Sequence, residues 1–321
     1  TNSPELVGKT TAFLGHKEPI VFSNHFLRLR TNGRRLDPQY LARWLTKQWQ
    51  LRVFEKYCTQ WVNQATVRKE DLLSLEIPLP PLDEQRRIAA ILSRADRLRR
   101  LRRTALELSD GYLQSVFLEM FGDPVSNPMG WKRTRVAKLV KVQTGNTPSR
   151  AESENYGNFI EWIKSDNINT PSHFLTQATE FLSEKGKSVG RTAPMGSTLI
   201  TCIAGSFDCI GNAAYADREV AFNQQINALT AKSGVNSWFL YALVIFSKKH
   251  IQSASTNSMK GMVSKGKMEG IQFISPPEKI QLEFEKVFSR YREGRDKQDT
   301  SMSMLNDGFS SISQRAFSVG L

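Results

Sequence analysis

Cysteine and histidine are scarce in this sequence, three and four residues respectively among 321. Cys58, Cys202 and Cys209 form no CxxC pair, and His16, His25, His173 and His250 do not cluster with them. A sparse, odd set of cysteines points to reduced thiols rather than a disulfide framework. With no cluster of ligands, no metal centre is expected. There is no run of 18 or more apolar residues, so no membrane span is expected. The chain opens on TNSPELVGKT, with neither Met nor a secretory leader pattern, and reads as the middle of something longer in a cytoplasmic protein. Acidic residues are in deficit, 31 against 44 Lys and Arg, which leaves a net charge of +13. That balance points to a polyanionic partner, of which nucleic acid is the usual one. A chain of this length should hold two or three domains, and 40% hydrophobic residues are enough to build their cores.

What is present is written twice. Val7-Gly8-Lys9-Thr10-Thr11-Ala12 resembles Ile210-Gly211-Asn212-Ala213-Ala214-Tyr215, and Phe22-Ser23-Asn24-His25-Phe26 resembles Phe222-Asn223-Gln224-Gln225-Ile226. Leu79-Pro80-Pro81 followed by Gln85 matches Ser275-Pro276-Pro277 followed by Gln281, and Gln114-Ser115-Val116-Phe117 matches Gln314-Arg315-Ala316-Phe317. The order is kept throughout at an offset of about 200 residues, which marks a diverged internal repeat.

Each repeat passes from a mixed segment through a Pro-Pro hinge into a long helix. The first helix is expected from about Leu82 to Phe121, with a stripe of Ile88, Ile91, Ala95, Leu98, Leu101, Ala105, Leu108, Tyr112, Leu113 and Val116. The second is expected from about Glu278 to Phe317, with Phe284, Val287, Tyr291, Gln298, Met302, Leu305, Phe309, Ile312 and Ala316 on its stripe. Forty residues of helix are roughly 60 Å long at ~1.5 Å per residue. A helix of that length with a narrow stripe needs a partner of equal length, and the other repeat supplies one. The expected fold is α+β: mixed α/β domains with two long helices forming an antiparallel coiled coil. FIEWIKSDNI, GSTLITCI and VAFNQQINALTA show strand-like alternation. VNSWFLYALVIFSKKHIQSAS reads as one buried helix with Lys248, Lys249 and His250 near its C-terminal end. Its counterpart is LDPQYLARWLTKQWQLRVFEK, with Asp37 and Pro38 as cap and first-turn residues.

Motifs for catalysis are weak. Gly261 to Met268 matches GxxxxGK, but Met268 stands where Ser or Thr must hold magnesium, and no strand precedes it. It reads better as a flexible basic loop, as does its counterpart Gln60 to Lys69, with Asn63, Gln64, Arg68 and Lys69. Glu161 and Asp166 flank Lys164, but metal-assisted hydrolysis needs converging carboxylates that the spacing does not supply. Neither an Asn-Pro-Pro-aromatic methyltransferase motif nor a glycine-rich cofactor loop occurs, so a non-catalytic chain without cofactor is expected. Candidate DNA contacts lie in polar loops: Thr147, Ser149 and Arg150; Lys164, Ser165 and Asn167; and Asn257, Ser258, Lys260, Lys265 and Lys267. Lys and Arg position a protein on phosphates, while Asn, Ser, Thr and some Arg read base edges. The arginines of RRIAAILSRADRLRRLRR read first as a solvated helix face.

The run Leu75-Glu76-Ile77-Pro78-Leu79-Pro80-Pro81-Leu82-Asp83-Glu84-Gln85-Arg86-Arg87-Ile88-Ala89 resembles the junction motif of type I restriction–modification specificity subunits. Trp131-Lys132, then Gly145-Asn146-Thr147-Pro148-Ser149, and Trp162-Ile163-Lys164-Ser165-Asp166 resemble the opening of that family's recognition domains. The resemblance implies a first target-recognition domain at 1–80, a spacer helix at 81–124, a second recognition domain at 125–275 and a second helix at 276–321. It implies that each domain reads half of a split double-stranded DNA target. It also implies that the helices dock two methyltransferase subunits, to which motor-nuclease subunits add. By comparison of the repeats, the first domain is expected to lack about 70 or more N-terminal residues. A DNA-binding scaffold of another defence system and the specificity module of a fused nuclease are the alternatives.

Overall fold

The computed structural model describes residues 4–61, 64–255 and 261–317. Asn63, Asn257, Ser258 and Lys260 lie outside them. In chain order come α1 (Pro38–Gln50), the hairpin β1 (Cys58–Trp61) and β2 (Gln64–Val67), α2 (Lys69–Leu73) and α3 (Leu82–Phe121). Then follow β3 (Arg133–Arg135), α4 (Val136–Leu139), β4 (Val140–Thr144), β5 (Tyr156–Ile163), β6 (Phe181–Leu182), α5 (Glu184–Val189), β7 (Thr192–Ala193), β8 (Thr198–Thr201), β9 (Ala213–Tyr215), β10 (Val220–Phe222) and β11 (Ile226–Ala231). The chain continues through α6 (Ser237–Phe246), α7 (Lys248–Ser253), α8 (Lys265–Gly270), β12 (Gln272–Ile274) and α9 (Glu278–Phe317). The two long helices thus span the residues expected of them.

Contacts divide the chain into two compact units, Thr1–Glu107 with Arg295–Leu321, and Leu108–Gly294. In the first unit, Asp37 caps α1, its Oδ1 accepting from the N–H groups of Gln39 and Tyr40 at 2.9 and 3.0 Å. Tyr40, Trp44, Leu45 and Phe54 bury against Ile88 and Leu92 of α3 and Phe309 and Phe317 of α9. Arg99 Nε donates to Asn306 Oδ1 at 2.8 Å, and its guanidinium lies 4.5 Å from the centroid of Phe309.

The second unit holds an antiparallel sheet in the order β4-β11-β8-β9 and a mixed sheet in the order β6-β5-β10-β7, in which β5 and β10 run parallel. Its main core joins Leu113, Phe117 and Phe121 of α3 to Phe239 of α6 and to Phe284 and Phe288 of α9. Phe117 meets Phe284 edge-on, with centroids 5.6 Å apart. Tyr291 OH donates to Asp110. Within this unit, residue numbers that rise along α3 (110, 117) meet numbers that fall along α9 (291, 284), so the two helices run antiparallel. The α3 helix stops at Gly122, whose φ of +72° is the left-handed end that glycine adopts without strain.

The repeat is visible in backbone geometry. Gly8 and Gly211 hold φ at +87° and +81°. Gln85 and Gln281, both buried, bridge the Pro-Pro junction to the start of α1 and of α6 in the same way.

Four expectations change. Leu98, Leu101, Leu108 and Tyr112, assigned to the buried stripe of α3, are 53%, 57%, 70% and 60% exposed. The helix contacts nearest them are polar, Arg99–Asn306 in the first unit and Asp110–Tyr291 in the second. The helix expected over Val235–Ser255 breaks at Ser247, where ψ reaches 14°, so Lys248 and Lys249 open α7 instead of closing α6. Gly261 to Met268 is not a loose loop. Met262 bridges to Ile203, Val263 N–H donates to Cys202 O at 2.9 Å, and α8 begins at Lys265 with Ser264 as its cap. In its counterpart, Gln64 belongs to β2 and Lys69 to α2.

Candidate nucleic-acid interface

Strands β5 and β10 run parallel, with Phe222 paired to Ile163, so the loops that follow them leave from one sheet edge. Asn223 N–H donates to Ile163 O at 3.0 Å, which holds the 223–225 turn beside the Lys164–Asn167 loop. The Gly145–Arg150 segment crosses the same edge. Asn146 N–H donates to Phe222 O at 3.1 Å, and Trp162 Nε1 donates to Asn146 O at 3.3 Å. Gly145 is required at this crossing, because a Cβ there would overlap the carbonyl oxygens of Asn223 and Phe222.

Cations and aromatic rings meet on this edge. Arg150 and Lys164 both pair with Glu180. The Arg150 guanidinium lies 4.3 Å from the centroid of Tyr156 and 5.2 Å from that of Trp162, and Lys164 Nζ lies 5.2 Å from the centroid of Trp162. The Arg150 hydrogen bond above all, with Lys164 beside it, holds the Glu180 carboxyl down to about 2, so it stays ionised. Two cations share one carboxylate, which leaves the cluster net positive and half-open to solvent.

Polar side chains fill the rest of the rim. Thr147 Oγ1 donates to Gln224 Oε1, and both residues are exposed. Ser165 Oγ donates to Gln225 Oε1 at 3.3 Å, and Asn223 Nδ2 reaches the same oxygen at 3.2 Å. Asn212 Nδ2 donates to Asn169 Oδ1 at 2.9 Å.

Two separate stretches, residues 7–108 and 128–297, match the family model described as the type I restriction modification DNA specificity domain. The chain belongs to this family. It is 23% identical over 295 residues to a type I restriction enzyme MjaX specificity subunit of Methanocaldococcus jannaschii, covering 86% of this chain and 66% of that protein. It is 28% identical over 170 residues to the type I restriction enzyme HindI specificity subunit of Haemophilus influenzae, covering 50% of this chain and 35% of that protein. The chain therefore spans less than two thirds of the length of these relatives. Its fold resembles the crystal structure of the type I restriction-modification system S subunit from M. genitalium, with a TM-score of 0.58 at 16% identity over 90% of this chain and 75% of that one.

On this specificity-family fold the candidate residues separate into groups. Thr147, Arg150, Lys164 and Ser165 come together on the β5–β10 edge, with Ser149 exposed beside them. Asn167 is engaged within its own loop. Its Oδ1 accepts from Lys164 N–H at 3.0 Å, and its Nδ2 donates to Gln177 O at 3.0 Å and Thr176 Oγ1 at 3.3 Å. Lys265 and Lys267 sit elsewhere in the unit, on α8, which packs on α4 and β4. Lys267 lines a cavity of about 640 Å³ with Arg133, His250 and Gln272. Glu161, weighed above as a nuclease carboxylate, is bound by Arg218, which holds its carboxyl below the usual range, and accepts from Ala178 N–H at 2.8 Å. Sequence reasoning missed Glu180, Trp162, Tyr156 and Gln224. The repeat carried a signal for Gln224, since FSNHF and FNQQI align there, but nothing in the sequence placed Glu180 between the two cations. Among the described residues no helix is long and apolar enough to cross a membrane, and no group of three or more His, Cys, Asp or Glu could hold a metal ion.

Proposed function

We propose that this chain reads double-stranded DNA for a type I restriction–modification system and does no chemistry itself. The observation that carries the reading is the β5–β10 edge, where a positive cluster stacked on Trp162 and Tyr156 adjoins a rim of amides and hydroxyls. Cations position a protein on phosphates, and amides and hydroxyls read base edges. The edge supplies both, on backbone pinned by strand pairing.

In this reading the second unit recognises one half of a bipartite target and the first unit the other. The antiparallel helices separate the two halves and dock two methyltransferase subunits, through which the motor-nuclease subunits join. Such a protein works where the DNA is, in the cytoplasm. The test is co-expression with the methyltransferase subunit followed by methylome sequencing. Methylation at one split motif, absent without this chain, is expected. Methylation that is unchanged on removing the chain overturns the reading.

A further inference from the structure

The 223–225 turn has a twin. Asn223 O accepts from Ile226 N–H at 3.2 Å, and Asn223 Oδ1 accepts from Gln225 N–H at 3.1 Å. In the first unit, Ser23 O accepts from Phe26 N–H at 3.0 Å, and Ser23 Oγ accepts from His25 N–H at 3.3 Å. The two turns share this pair of hydrogen bonds 200 residues apart in the sequence, with Asn24 where the second has Gln224.

The two tip residues of the second turn are treated differently. Gln225 is tied down: its side chain accepts from Ser165 and Asn223, and its backbone carbonyl accepts from Cys202 and Ile203 N–H at 2.8 and 3.1 Å. Gln224 is exposed, and Thr147 holds its amide oxygen. An amide presented on a pinned turn, with one oriented contact behind it, loses little freedom on binding. It also sits on the edge that carries the Arg150–Lys164 cluster, because Asn223 and Lys164 follow directly on the paired residues Phe222 and Ile163. The twin position keeps an exposed amide, Asn24, although its neighbours have changed.

We infer that Gln224 is a base-reading residue whose amide pairs with an adenine edge in the major groove, and that Asn24 does the same for the first unit. Glutamine and asparagine are the side chains that match adenine N6 and N7 with one donor and one acceptor. The inference rests on the DNA-reading function proposed above and names the residue in each unit that carries sequence.

The test uses the whole chain. Duplexes are selected by the parent from a randomised pool, and the parent, Gln224→Ala, Gln224→Glu and Asn24→Ala are titrated against the selected sequence and its single-base variants at several salt concentrations. For Gln224→Ala, discrimination at one A·T pair should fall roughly 5- to 150-fold, the ~1–3 kcal/mol of a bidentate contact. Affinity for scrambled duplex and its salt slope should not move. Gln224→Glu, of the same length, should shift the preference at that pair toward cytosine, whose N4 donates. Asn24→Ala should relax a different pair. If Gln224→Ala discriminates as the parent does, or weakens all duplexes alike, the inference is overturned while DNA reading stands. If the parent selects no sequence, both fall together.

Discussion

Gln85 offers the sharpest test of how the junction works. It is fully buried at the first turn of α3. Its Nε2 donates to Pro80 O at 2.8 Å and to Arg35 O at 2.9 Å, and its Oε1 accepts from Asp37 N–H at 2.9 Å. One side chain thus ties the Pro-Pro hinge, the approach to α1 and the α1 cap residue together. Gln85→Met keeps length and volume, so the cavity contribution is small. It leaves two carbonyls and one N–H, all part-buried, facing a thioether. At ~1 kcal/mol net per hydrogen bond, and more where a buried group stays unpaired, the loss is about 3–5 kcal/mol. Gln281→Met should cost less, about 2–3 kcal/mol, because its contact to Gly234 O is stretched to 3.5 Å while those to Pro276 O and Asn236 N–H hold at 2.8 and 2.9 Å. Gln85→Glu should be worse than Met at neutral pH and should recover partly in acid, where a protonated carboxyl regains one donor. Urea unfolding followed by tryptophan fluorescence gives the overall loss. Amide exchange at Asp37 and Asn236 assigns it to a unit, which matters because two units need not unfold as one. A loss below about 1 kcal/mol for Gln85→Met, against the ~3 kcal/mol expected of three bonds, would refute the claim that this side chain holds the junction.

Other predictions follow from the same geometry. Arg150→Ala should weaken binding to every duplex and flatten the salt dependence by about one unit if it contacts a phosphate, and should cost little stability, since the Arg150 side chain is 56% exposed; equilibrium binding at several salt concentrations checks it. Glu180 has its carboxyl lowered to about 2 from 4.5, so its contribution is present above pH 4.5 and is lost as pH falls toward 2. On a half-open pair that contribution is ~1 kcal/mol or less, and Glu180→Gln should remove that portion of the acid sensitivity in a pH series of melting curves. Phe117→Ala should cost roughly 3–5 kcal/mol, because Phe117 is fully buried and packs on Phe121, Phe239, Phe246 and Phe284; thermal unfolding reads it. Gly145→Ala should displace the 223–225 turn and abolish sequence discrimination while the fold survives, as judged by binding assays alongside circular dichroism.

How much of this was legible in the sequence differs by element. Both long helices were, because polar faces, the Pro-Pro stops and 40 residues without an interior proline leave one reading. Which face of α3 is buried was not, because helical periodicity assumes an apolar seam. Here arginine stems and the Asp110–Tyr291 pair occupy the middle of it. That some candidate residues lie next to a strand end was legible, since polar residues flanking Trp162 and Gly145 stand out. Glu180 was invisible, because its sequence neighbours give no hint that it lies between Arg150 and Lys164. The basic Gly261–Met268 stretch misled for a related reason. Its glycines suggest a loop, while Val263 and Met268, both buried, anchor it to the domain.

What the duplication kept and what it changed are different kinds of residue. Kept are positions that set backbone geometry: the left-handed Gly8 and Gly211, the cap residues Asp37 and Asn236, the junction Gln85 and Gln281, and the paired turns at Ser23 and Asn223. Each fixes where the chain goes, by a left-handed φ, a helix cap, a buried glutamine or a turn hydrogen bond. Changed are the exposed side chains at the tips of the turns, Asn24 in one and Gln224 in the other. Under the function proposed above the two halves read different sequences, and the scaffold can then stay constant only if recognition rests on side chains that no core depends on. The exposed tip of a pinned turn meets that condition, and the buried junction glutamines do not. Substitutions at 24 and 224 should therefore alter sequence preference without loss of stability, and substitutions at 85 and 281 should lower stability without redirecting it.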